Sequence, residues 1–72
     1  LNPIFTIMPK YQLVEAAAIE HHNEYFEIRF NDHRNSLFFT TNEENLETTA
    51  DAIVAEHAPG EMEYHVVPHQ KN

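Results

Sequence analysis

Six short runs with two alternating signatures constrain this chain more than any other feature. Ile4 to Met8, Tyr11 to His22 and Glu24 to Asn31 read as strand, helix, strand. Ser36 to Thr40, Glu43 to His57 and Glu61 to Pro68 repeat that order. The strand signature is period-two alternation. Phe26, Ile28 and Phe30 fall on one face of the second strand, and Tyr25, Glu27 and Arg29 on the other. In the last strand Met62, Tyr64 and Val66 oppose Glu63, His65 and Val67. The helix signature is clearest in the second half, where Leu46, Ala50, Ile53, Val54 and His57 recur on one face.

Local punctuation supports these boundaries. Thr41 followed by Glu44 matches a capping box, and Pro59-Gly60 terminates the helix. Pro9 suits the first position of the earlier helix, whose alanines favour helix by propensity. Leu13, Val14, Ala16 and Ala17 are its expected core face. Asn31 to Asn35 reads as a polar hairpin loop, with Asn31 or Asn35 in the left-handed position. Pro68 is expected to end the last strand and leave residues 69–72 as a frayed tail. The order βαββαβ resembles the ferredoxin-like split βαβ pattern, an α+β fold with two helices on one face of an antiparallel sheet. The resemblance rests on element order alone, so no site residue is carried over from it.

At 72 residues the chain has room for one domain, 1–72, with a small core. It contains no cysteine, so no disulfide staples that core. Absent cysteine fits a reducing compartment, and a cytoplasmic location is the expectation. No run approaches the roughly 20 apolar residues of a membrane span, and no basic leader is visible.

The net charge of −8 is unevenly placed. Residues 1–34 carry −2, residues 35–70 carry −7, and Lys71 adds one positive charge. Such a surface repels phosphate, which disfavours direct nucleic-acid binding and anionic membranes. It favours a protein partner with a basic or mixed surface, and leaves a homodimer open.

With both helices on one face, the other sheet face is the expected contact surface. Its candidate residues are Tyr25, Glu27, Arg29, Phe38, His65 and Val67, beside Thr40 and Glu63. Apolar residues rimmed by charge are typical of a protein–protein contact. An RNA-binding sheet of this type needs a basic, glycine-bearing third strand, and Ser36 to Thr40 is neither. A second candidate is the acidic stripe Glu44, Glu47 and Asp51 on the second helix. A row of carboxylates imitates phosphates and can block a basic groove, although an acidic helix face also serves solubility alone. A third class is a dimeric regulatory domain holding a small ligand between subunits.

Catalytic, cofactor and metal sites are not expected. Without Cys, a nucleophile would have to be Ser or Thr beside a base, and no such motif appears. Gly60 is the single glycine, so no phosphate-cradling loop exists. His65 and His69 on an extended strand lie about 13 Å apart, too far to share an ion.

Six histidines make the charge adjustable. Protonating all of them moves the net charge from −8 to −2. Self-association or partner binding is therefore expected to change between about pH 5 and 7. Sedimentation and affinity measurements that stay flat across that range would contradict this.

Overall fold

A computed structural model describes residues 8–71. The expected first strand, Ile4 to Met8, lies outside the described residues apart from Met8, which is exposed and in no regular element. The described chain is α+β. It has four strands, β1 (Gln12–Val14), β2 (Glu24–Phe30), β3 (Leu37–Thr40) and β4 (Tyr64–Gln70), and one α-helix, α1 (Leu46–His57). A 3-10 helix spans Ala16–His21.

The strands form one antiparallel sheet in the order β1-β3-β2-β4. β1 and β2 therefore run parallel with β3 between them, and β3 and β4 run parallel with β2 between them. The connections from β1 to β2 and from β3 to β4 each cross one intervening strand. Two interleaved split units result. Only the second has an α-helix as its crossover, so the expected βαββαβ order with two helices is not what these residues form.

The expected helix Tyr11 to His22 is replaced by β1 and the 3-10 helix. Gln12, Leu13 and Val14 pair with Thr40, Phe39 and Phe38, supplying a second neighbour for β3. The alanine run that follows turns, with the Ala18 N–H bonded to the Glu15 carbonyl at 2.8 Å, but buries no residue. A short helix without an apolar face to bury gains little from propensity alone, and it stays a 3-10 segment against β3. Of the face expected for that helix, Val14 is buried, Leu13 is 42% exposed, and Ala16 and Ala17 are exposed.

The core lies between α1 and one sheet face. Ile28 and Phe30 from β2 and Phe39 from β3 pack with Ala50, Ile53, Val54 and Ala58. Phe26, Leu37, Tyr64 and Val66 close its margins. Thr49 is also fully buried, and its hydroxyl donates to the Asn45 carbonyl at 3.0 Å. His57 follows the stripe in sequence but is exposed at the end of α1.

The helix starts later than the capping-box reading expects. Asn45 is the N-cap, accepting from the Thr48 N–H at 3.0 Å. Thr41 instead donates to the Lys10 carbonyl (2.7 Å) and accepts from the Glu43 N–H (3.0 Å), which ties the approach to β1 to the entry of α1. At the other end the Ala58 N–H bonds to Val54, and Gly60 takes φ +95° in the turn that follows. Between β2 and β3, the Asp32 carboxylate accepts from the Arg34 N–H at 3.1 Å. No non-glycine residue among those described has positive φ, so neither Asn31 nor Asn35 fills a left-handed position.

β4 continues past Pro68 to Gln70 rather than fraying at residue 69. As an edge strand it leaves alternate main-chain groups without a sheet partner, and proline is tolerated at such a position.

Phe39 is fully buried at the centre of the core. Phe39→Ala is expected to cost about 3–5 kcal/mol, a large share of a small domain's stability. A shift in the urea midpoint equivalent to less than 1 kcal/mol would place the core elsewhere.

Candidate interaction face

Strand register sorts the exposed residues. Tyr25 pairs with His69, Arg29 with His65, and Glu27 with both Val67 and Phe38. Directly paired residues of an antiparallel sheet point to the same face. Tyr25, Glu27, Arg29, Phe38, His65 and Val67 therefore share the face opposite α1. Val14 and His69 join them by the same pairing.

Glu27 is the centre of this face. Its side chain is only 12% exposed, so it is withdrawn from the surface rather than presented to a partner. Arg29, two residues along the same strand, forks onto it: Nε lies 3.2 Å from Oε2 and Nη2 3.1 Å from Oε1. The Ser36 hydroxyl donates to Oε2 at 2.7 Å, and His69 Nε2 lies 2.8 Å from Oε1. The Arg29 bond is the main reason its carboxyl is held down at about 2; burial opposes this, and Ser36 and His69 add to the lowering. An ionised carboxylate only accepts, so the facing imidazole nitrogen carries the hydrogen.

Rings extend the network across three strands. Tyr25 stacks on His69 with centroids 4.7 Å apart and planes 10° from parallel. Its other side meets Phe38 edge-on at 6.0 Å. The row Phe38, Tyr25, His69 thus runs from β3 through β2 to β4, and each member is half-buried. Val67 is half-buried beside it, while Arg29 and His65 are exposed.

Sequence reasoning missed Ser36 and His69. His69 keeps the phase of His65 and Val67, which is visible only if the strand is allowed to continue through Pro68. Ser36 precedes β3 in the phase that faces Arg29, but nothing local identifies its partner.

The arrangement stores charge and does not set up nucleophilic chemistry. Ser36 and His69 both bind Glu27, so the acid lies between hydroxyl and imidazole. A nucleophile needs the base in that middle position. Among the described residues no three His, Asp or Glu side chains are grouped to hold a metal ion.

The acidic stripe is shorter than its spacing implies. Glu44 precedes the Asn45 cap and lies outside α1. Glu47 and Asp51 remain one turn apart on the helix. Asp51 accepts from the Tyr64 hydroxyl, which with burial pushes the Tyr64 phenol up to about 12. No described helix is long and apolar enough to cross a membrane. The chain matches no protein-family model, no curated protein and no solved structure.

Glu27 links stability to pH with a definite sign. Its folded carboxyl lies below the ordinary 4.5, so its contribution is complete above that value and is lost as pH falls toward 2. Glu27→Gln should lower stability at pH 7 by about 1.5–3 kcal/mol, the range for hydrogen bonds to charged groups. It should also flatten the loss seen in the wild type between these pH values. Urea midpoints at pH 7 and pH 3 test both effects, and equal differences from wild type at the two pH values would refute the linkage.

Proposed function

We propose that this chain is a small non-enzymatic protein-interaction module, of the accessory-regulator or inhibitor kind, that binds through the sheet face opposite α1. The observation that carries this reading is the half-buried ring row Phe38, Tyr25, His69, held in place by the ionised, Arg29-paired Glu27. Rigid aromatic rings bury large area on binding with little loss of side-chain freedom. Arg29 keeps half its surface exposed while its fork is anchored on Glu27, so one edge of the guanidinium can reach a partner. Tyrosine and arginine are enriched at binding hot spots. The acidic remainder of the surface favours a partner of basic or mixed charge, and the same face also suits a second copy of the chain.

Nucleic-acid mimicry through the acidic residues has less support, because Glu44 leaves the helix and Asp51 is engaged by Tyr64. A small-ligand site between subunits has no geometric observation behind it.

Tyr25 is outside the core cluster, so Tyr25→Ala is expected to stay folded. The test compares partners captured by the wild type and by this variant, with circular dichroism as the folding control. A partner retained by the wild type at high salt and lost at least tenfold with Tyr25→Ala supports the face. Equal capture by both proteins, or release by salt alone, counts against it.

A further inference from the structure

β4 is an edge strand, and its outer side has a defined pattern. The Asn31 N–H bonds to the Glu63 carbonyl at 3.2 Å, and the Lys71 N–H bonds to the Asn23 carbonyl at 2.9 Å. Both contacts mark the odd-numbered residues of this segment as those bonded toward β2. Antiparallel ladders alternate, so the main-chain groups of Tyr64, Val66, Pro68 and Gln70 point away from the sheet. Pro68 thus falls where its missing N–H costs the ladder nothing, and it also blunts the outer edge at that point. Upstream, Tyr64 and Val66 each present one N–H and one carbonyl. Among the described residues no strand pairs with this side.

The side chains of the same residues face α1, where a groove of about 480 Å³ separates helix from strand. Leu46, Ala50, Val66 and Pro68 supply its apolar wall. Glu47 supplies its free charge, and Asp51 adds to it with one carboxylate oxygen already accepting from the Tyr64 hydroxyl. A residue added opposite Val66 would share Val66's face, because directly paired residues do. Its side chain would therefore enter the groove. Residues two places to either side would fall on that face too, toward the carboxylates.

We propose that the outer edge of β4 is a docking site for an extended basic segment of a partner protein, which adds as a fifth strand. The segment places an apolar side chain in the groove beside Val66 and a Lys or Arg two residues away toward Glu47, with the remaining Asp51 oxygen nearby. Main-chain bonds to Tyr64 and Val66 provide affinity, and the groove and its charge provide selectivity. A second copy is the weaker occupant, since edge pairing would bring together two chains of net charge −8. This surface is distinct from the ring row and does not depend on it.

The test uses the whole chain and a capped, fluorescent peptide Lys-Thr-Ile-Thr-Lys, read by anisotropy at low and high salt. The peptide should bind saturably and weaken with salt. The acidic version, Glu-Thr-Ile-Thr-Glu, should bind at least fivefold more weakly, as should the basic peptide to Glu47→Lys. N-methylating the peptide's isoleucine, which leaves the protein untouched, should cost about threefold or more. Val66→Pro should do the same by removing the outward N–H, provided its circular dichroism matches wild type. Tyr25→Ala should bind normally, which separates this site from the ring face. Absence of saturable binding, equal binding of the acidic or N-methylated peptide, or loss with Tyr25→Ala would overturn the proposal. A concentration-dependent mass abolished by Val66→Pro would also overturn it, by making a second copy the occupant.

Discussion

The central strand β2 is the constraint on which the rest of the molecule depends. It is paired on both sides, with β3 and with β4, and it is the longest shared ladder in the sheet. Its even residues build the core under α1, and its odd residues build the opposite face. Ile28 and Phe30 are buried against the helix, while Tyr25, Glu27 and Arg29 organise the other side. A one-residue slip would exchange these sets, burying Arg29 in the core and exposing Ile28. Register and function candidate are therefore a single property of this strand.

A nearly buried carboxylate is expensive unless it is paired and hydrogen-bonded. Glu27 meets that requirement with donors from three places in the chain: Arg29 on its own strand, Ser36 beside β3, and His69 on β4. The network therefore does more than neutralise a charge. It ties both neighbours of β2 to the same point and aligns the imidazole under the Tyr25 ring. Electrostatic satisfaction on this face has the structural role that apolar packing has on the other. Both are needed where, among the described residues, one α-helix covers the core.

Much of the face is legible in the sequence, because strand alternation is a local property. Tyr25, Glu27 and Arg29 share a phase by spacing alone, as do His65 and Val67. The role of Glu27 was not legible in this way. Nothing in its neighbourhood shows that His69 lies within hydrogen-bonding distance, and Pro68 argues locally for the end of the strand. The chain resolves that conflict through position in the sheet, since proline is tolerated only where its nitrogen points outward from an edge. The first helix failed for a related reason. Alanine propensity favours helix, but Gln12 to Val14 gains a ladder with β3, and the remaining alanines bury nothing. Asn45 rather than Thr41 caps α1, since the Thr41 hydroxyl accepts from the Glu43 N–H ahead of the helix and the Asn45 side chain accepts from the Thr48 N–H within it.

The sequence by itself determined the α+β class, β2 to within one residue, the core of α1 around Ala50, Ile53 and Val54, and the facing of the residues of β2, of β3 and of β4 from Tyr64 to Val67; Met62, expected in that last strand, lies outside it and is exposed. These follow from periodicity and termination signals, which act over a few residues. Only the tertiary structure decided the strand order β1-β3-β2-β4, the conversion of the first helix to strand and 3-10 segment, the extension of β4 through Pro68, and the convergence on Glu27. Those outcomes depend on contacts between residues far apart in the chain, such as Glu27 with His69. Their free energy exists only once the chain has closed, so no local pattern carries it.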